Sequence, residues 1–234
     1  GSSSGLIASV ACAINELFGK TIPDEVLVRY LAQNHGEEID DKPNMIMPVQ
    51  CLGGSAACGI YPGGLVLLAG ESVVVQSMDV PAEYGVVIGV PRDFRHPDAQ
   101  GLMKREELNM EHFVSTGKKY GELIAYRILH ECMPEISLGK LTAVGNLIFD
   151  YRYKMGSIDN CTFVYPGLRQ LADQVVALKK EGVADVLSLS SVGPGMFAIS
   201  RNLKECEAAF SANNMNTITA AMHNGTYEVI EEKS

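Results

Sequence analysis

The stretch that most constrains the fold lies near the C-terminal end: Leu189-Ser-Ser-Val-Gly-Pro-Gly-Met-Phe-Ala-Ile-Ser200. Proline lacks an N–H and breaks a helix, and glycine takes turn conformations closed to other residues, so no helix runs through Gly-Pro-Gly. The apolar runs on either side read as strands, Val186 to Ser190 and Met196 to Ser200, joined by the turn 191–195. A helix, Leu203 to Asn213, and a short strand, Ile218 to Met222, follow, with a further strand near Tyr227 to Ile230.

Upstream the period changes. Met103 to Tyr153 carries helical stripes such as Leu123, Tyr126, Leu129 and His130, then Leu141, Val144, Leu147, Ile148 and Tyr151, and Pro166 to Glu181 reads as another helix. Leu65 to Ala69 and Ser72 to Ser77 read as a strand pair, and Tyr84 to Val90 as a buried strand. Gly36 to Pro48 is polar and turn-rich. Helices and strands in these proportions predict a mixed α+β protein.

The chain opens Gly1-Ser-Ser-Ser-Gly5, and Leu6, Ile7, Val10, Ala11, Ile14, Leu17 and Phe18 then recur as one face of an amphipathic helix that Gly19 ends. Ser2, Ser3 and Ser4 stand at its N-terminus, where a hydroxyl caps free N–H groups. Small residues there also let a phosphate reach those groups. A flexible linker reads the same over five residues, so both remain open. A second helix is predicted over Ile22 to Asn34, with Pro23, Asp24 and Glu25 suited to its first turn.

The net charge of −9 and the lack of a dense Lys/Arg block argue against nucleic acid or an anionic membrane as a partner. No apolar run is long enough to span a bilayer. The six scattered cysteines form no disulfide or metal framework, and cytoplasm is the expected compartment. Without an initiator Met or a signal peptide, the chain reads as cut at its front.

Three segments in order resemble the GHMP kinase superfamily of galactokinase, homoserine kinase, mevalonate kinase and phosphomevalonate kinase. Gly1 to Leu6 with its helix is similar to the second half of the family's phosphate loop, whose Pro-Gly half is absent. Gly53-Gly-Ser-Ala-Ala-Cys-Gly-Ile-Tyr-Pro-Gly-Gly-Leu65 resembles the segment running from Ser-Gly-x-Asp to a Gly-Gly. Anchored on Gly63-Gly64, it puts Ala56 where the family has its catalytic Asp. Residues 189–200 look like the C-terminal Gly-rich motif beside the phosphate loop.

The resemblance implies the remainder of the family's N-terminal domain, of ribosomal-protein type, over 1–80, and a ferredoxin-like C-terminal domain over 81–234. Roughly the first third of a family member would be missing, leaving apolar surface to cover. The implied activity is ATP-dependent phosphoryl transfer to a small hydroxylated or phosphorylated metabolite, with ATP and Mg2+ as cofactors. Gly1, Ser2, Ser3 and Ser4 would hold the nucleotide phosphates, with Gly193, Pro194 and Gly195 as the opposite wall. Ser3 and Glu37, at the end of the second helix, would serve the metal. Ser3 and Ser55 are the catalytic-side hydroxyls, although Ser55 also reads as a turn residue.

Arg92-Asp-Phe-Arg-His96 could meet an anionic substrate or lie solvated in a loop, and His35 could serve the substrate or pack. Asn160 and Asn224 formally match glycosylation acceptors, with nothing to indicate secretion. The expected partners are a small-molecule substrate and, at most, a second copy in a homodimer. Two alternatives stay open: the related archaeal β-ribofuranosylaminobenzene 5-phosphate synthase, which uses phosphoribosyl pyrophosphate and would not need the Asp, and an inactive binding protein that kept the fold.

Overall fold

The computed structural model describes residues 2–32, 37–39, 42–47, 53–70, 72–95 and 99–230. The chain divides into two compact units, Gly1–Val80 with His223–Ser234, and Pro81–Met222. The division drawn from the sequence, 1–80 and 81–234, keeps the tail with the second unit, whereas here residues from His223 are grouped with the first.

In the first unit, α1 (Ser2–Leu17) and α2 (Asp24–Ala32) precede a hairpin of β1 (Glu37–Ile39) and β2 (Lys42–Met47), a 3-10 turn (Gly53–Ala57), and a second hairpin of β3 (Leu65–Ala69) and β4 (Val73–Met78). Helix α2 is shorter than the predicted Ile22–Asn34 span, and its first two residues, Asp24 and Glu25, complement the helix dipole. The segment read as turn-rich, 36–48, contains the β1–β2 hairpin, with Glu37 opposite Met47.

The core of this unit joins short side chains of α1 to larger ones from the elements around it. Ala8 and Cys12 of α1 and Leu27, Val28 and Ala32 of α2 pack with Ala56, Ala57 and Ile60. The large residues of the predicted α1 stripe, Leu6, Ile7, Val10, Ile14, Leu17 and Phe18, are instead exposed. Helix α1 therefore buries the opposite face, where short side chains let the backbones approach closely. Asn15 is buried and clasps the loop after α1: its Nδ2 donates to the Ile22 carbonyl at 2.8 Å and its Oδ1 accepts from the Ile22 N–H at 3.0 Å.

The tail packs on the same unit. The Asn224 side chain donates to the Val80 carbonyl and accepts from the Val80 N–H, both at 2.9 Å, while its carbonyl accepts from the Gly63 N–H. The Tyr227 hydroxyl donates to Glu16 at 2.7 Å, and burial together with that bond pushes its pKa up to about 12. No strand forms at 227–230.

The second unit is built on a four-stranded antiparallel sheet. Strand β5 (Gly85–Pro91) leads into α3 (Ala99–Leu108) and α4 (Met110–Arg127), a π-helical turn (Ile128–Cys132), α5 (Met133–Ser137), α6 (Thr142–Tyr153), α7 (Ser157–Asn160), α8 (Leu168–Val175) and α9 (Ala177–Lys180). Then come β6 (Val186–Leu189), β7 (Met196–Ser200), α10 (Leu203–Ala212) and β8 (Met215–Ala221). The predicted helix 166–181 is thus two helices meeting at Val176.

Strand order β6-β7-β5-β8, every pair antiparallel, with helices between β5 and β6 and between β7 and β8, is the ferredoxin-like arrangement. Its core joins Val87, Leu187, Leu189, Met196 and Ala198 of the sheet to Leu168, Leu171, Ala172 and Phe210 of the helices. Gly145 lets α6 lie directly on the end of β6, because a Cβ there would collide with the Asp185 carbonyl. This contact fixes where the C-terminal end of α6, carrying Arg152, meets the sheet.

Among the described residues no helix is long and apolar enough to cross a membrane. Cys12, Cys132, Cys161 and Cys206 are buried free thiols, and Cys58 is free and exposed.

Candidate functional site

The sequence-predicted site residues fall in both units. Gly1 and His35 lie outside the described residues. Ser2, Ser3 and Ser4 form the first turn of α1, a helix of sixteen residues whose opening N–H groups have no partner within the helix. A Cβ on Gly5 would meet nothing within 4 Å, so there is open space beside that residue. The Ser9 hydroxyl is spent on the Gly5 carbonyl at 2.8 Å, one turn further along.

Glu37 does not end the second helix, as expected from the sequence. Helix α2 stops at Ala32, and Glu37 opens β1. Ser55 is exposed in the 3-10 turn, where its carbonyl accepts from the Cys58 N–H. Its neighbour Ala56 is fully buried against α1 and α2. The position aligned with the family Asp therefore points its Cβ into apolar packing.

Gly193, Pro194 and Gly195 lie in the second unit, in the turn between β6 and β7. The Ser190 N–H donates to the Gly195 carbonyl at 2.8 Å and the Gly193 N–H to the Ser190 carbonyl at 2.9 Å, which closes the loop on itself. Gly193 has φ +82°, so the backbone selects glycine there, while a Cβ would make ordinary contact with Leu168 at 3.4 Å. Pro194 is buried and follows a cis peptide bond.

The sequence reading missed Arg152. Its Nε donates to Ser188 Oγ at 3.1 Å, Nη1 to Ser157 Oγ at 2.9 Å, and Nη2 to the carbonyls of Leu189 and Ser191 at 3.3 and 3.1 Å. The guanidinium thus braces the 189–195 turn from below. Burial pushes its pKa down, while the side chain as a whole is half-buried and its bond to Ser191 lies at the surface.

Of the stretch Arg92 to His96, His96 lies outside the described residues, and Asp93 accepts a hydrogen bond from the Tyr165 hydroxyl at 3.1 Å. Asp93 and Tyr165, with Pro91, Gln170, Gln174 and Asn214, line an open cavity of about 300 Å³ in the second unit. Among the described residues no three His, Cys, Asp or Glu side chains gather as a metal site. Asn160 donates to Thr116 Oγ1 at 2.8 Å, and the Asn224 amide is occupied by Val80.

No protein-family model matches the sequence, and no curated protein matches it. The fold does have solved counterparts. Mevalonate pyrophosphate decarboxylase from Streptococcus pyogenes superposes over 98% of this chain and 66% of its own, with TM-score 0.62 and 13% identity. MDDEF, in its complex with MVAPP, AMPPCP and magnesium, superposes over 96% of this chain and 66% of its own, with TM-score 0.58 and 16% identity. The chain therefore spans just under two thirds of the length of each. At these identities the likeness concerns the fold alone, an α+β fold that this chain shares with both structures.

Proposed function

We propose that the chain belongs to a GHMP-type, ATP-dependent phosphotransferase acting on a small hydroxylated or phosphorylated metabolite. The observation that carries this reading is the first turn of α1: three serines and a glycine at the start of a sixteen-residue helix, with open space beside Gly5. Free N–H groups, the helix dipole and short side chains suit a polyphosphate at that point. That MDDEF, which shares the fold, was solved with AMPPCP and magnesium supports the same ligand class.

Phosphoryl transfer asks a protein chiefly for alignment and charge neutralisation, because its transition state is loose. Residues 2–4 would bind the nucleotide phosphates through backbone N–H and hydroxyl groups. Mg2+ keeps several waters and leans on substrate phosphates, so the absence of a carboxylate cluster among the described residues does not conflict with it. Ser3 and Glu37 would be its protein ligands, and the bound ion neutralises charge on the transferring phosphate.

With Ala56 in the place of the family Asp, no side chain there takes the acceptor's proton. The reading therefore asks for a substrate oxygen that loses its proton to water or to a phosphate oxygen.

The test is calorimetric titration with Mg-ATP and with phosphoribosyl pyrophosphate on the full-length protein, followed by Ser3→Ala. Saturable heat with Mg-ATP and an activity loss above tenfold in Ser3→Ala, about 1.4 kcal/mol of transition-state stabilisation, are expected. Heat with phosphoribosyl pyrophosphate alone selects the synthase reading, and no heat with either selects an inactive protein.

A further inference from the structure

The open cavity of about 300 Å³ in the second unit takes its walls from three separate places in the chain. Asp93 stands just after β5, Tyr165 lies ahead of α8, and Gln170 and Gln174 are one turn apart on that helix, while Asn213 and Asn214 follow α10. No lysine, arginine or histidine lines it. Arg169, on the same stretch of α8, is turned to Asp173 and Asp159.

The polar groups that are held in place there are chiefly acceptors. The Tyr165 hydroxyl donates to both carboxylate oxygens of Asp93, at 3.1 and 3.2 Å, and with its single hydrogen spent it has only lone pairs left to offer. Burial and that bond push the Tyr165 pKa up, so the proton stays on the phenol. The ring is itself held: Phe94 meets it edge-on at 6.2 Å, and a Cβ on Gly167 would stand 3.1 Å from it. Asn213 Nδ2 donates to the Ala209 carbonyl at 2.8 Å, which orients the amide and leaves Oδ1 free to accept. The Arg92 N–H donates to the Asn214 carbonyl at 3.0 Å and ties two of the walls together.

Asp93 accepts from Tyr165 and from nothing else among the described residues, so a carboxylate with about four acceptor sites keeps most of them open. A concave site whose one charge is negative, and whose anchored groups accept hydrogen bonds, favours a cation that carries several N–H donors. A phosphate or carboxylate would face Asp93 with no counter-charge. A metal ion is poorly served, because one carboxylate among neutral amides supplies little charge, and no three His, Cys, Asp or Glu side chains gather among the described residues. Pro91, Leu171 and Ala212 add apolar surface that suits a short hydrocarbon stem.

We propose that this cavity binds a small organic ammonium, a primary amine with no carboxylate or phosphate of its own, with Asp93 as its counter-ion and the Tyr165 and Asn213 side-chain oxygens as further acceptors. The inference goes beyond the phosphotransferase reading and does not rest on it, since that reading uses no part of the cavity.

Binding is measured on the full chain without nucleotide, so its failure and that of the phosphotransferase reading are separable. Calorimetric heat and unfolding temperature are recorded against ethylamine, putrescine, tetramethylammonium and acetate, at constant ionic strength held with sodium chloride. Saturable binding of at least one of the two primary amines is expected, about tenfold or more tighter than tetramethylammonium, which carries the charge without an N–H donor. Acetate should give no saturable response. Asp93→Asn keeps the shape and removes the charge, and should weaken amine binding about tenfold or more, whereas Glu181→Gln removes the same charge from an exposed position outside the cavity and should leave it unchanged. Should Asp93→Asn not fold, the wild-type chain still decides the matter, because saturating amine must shift the side-chain amide resonances of Asn213. The proposal is overturned by tetramethylammonium binding as tightly as the amines, by only a non-saturable response to both amines, by Asp93→Asn binding within about twofold of wild type, by an equal loss in Glu181→Gln, or by unmoved Asn213 resonances.

Discussion

Asn224→Ala tests how the tail is held to the first unit. Val80 is 1% exposed, and both its backbone polar groups bond to the Asn224 side chain at 2.9 Å. Alanine removes both partners at once and keeps only the bond from the Gly63 N–H, which uses the Asn224 backbone. Each buried group left unpaired costs about 1–3 kcal/mol, so the pair costs about 3 kcal/mol after partial relaxation. Urea unfolding followed by far-ultraviolet circular dichroism reads this as a lower midpoint at constant slope. If the two units unfold separately, the shift falls in one transition only. Asn224→Asp keeps the acceptor for the Val80 N–H and loses the donor to its carbonyl, so about half the cost is expected. A loss below about 0.5 kcal/mol in Asn224→Ala would refute the reasoning, since surface substitutions commonly reach that value.

Three further outcomes follow from the same geometry. Gly193→Ala places a Cβ at φ +82° beside Leu168, so it should cost about 1–2 kcal/mol in urea unfolding. Burial raises the Asp150 pKa, but hydrogen bonds from Lys154 and Arg127 outweigh it and hold the carboxyl below its usual range. Its stabilisation is therefore present above about pH 4 and lost as the pH falls toward the folded value, and Asp150→Asn should flatten that acid limb in unfolding curves recorded against pH. Ala56→Asp would bury a carboxylate among Ala8, Cys12, Val28 and Ile60, and should destabilise by about 3 kcal/mol or more without raising turnover. A stable Ala56→Asp with faster turnover would mean that position 56 faces a wet site.

Much of the second unit was legible because its strands announce themselves chemically. Gly-Pro-Gly excludes a helix, the flanking runs are apolar, and β6, β7, β5 and β8 fall within a few residues of the predicted spans. Helix α1 shows where periodicity misleads. The seven large and small apolar residues from Leu6 to Phe18 do share a face, yet most are exposed, while Ala8, Cys12 and Asn15 are buried. A hydrophobic pattern weights large side chains, whereas the packing here depends on how closely two backbones approach. The β1–β2 hairpin escaped for a related reason: Glu-Glu-Ile and Lys-Pro-Asn-Met-Ile-Met carry little of the alternation that marks a strand.

The candidate site divides along the same line. Serines ahead of an apolar helix and glycines around a proline are local signals, so Ser2 to Ser4 and Gly193 to Gly195 could be singled out without a fold. Arg152 offers no such signal, because one arginine in Asp-Tyr-Arg-Tyr reads as a solvated charge on a helix. Its meaning comes only when Gly145 lets α6 lie on β6 and the guanidinium reaches Ser188, Leu189 and Ser191, 36 to 39 residues away in sequence. Asn224 is the mirror case: its glycosylation-like triplet is local and uninformative, while its bonds to Val80 span 144 residues. Both placements are made by the fold: Gly145 against the Asp185 carbonyl brings Arg152 to β6, and the Gly63 N–H on the Asn224 carbonyl holds the tail where its amide meets Val80.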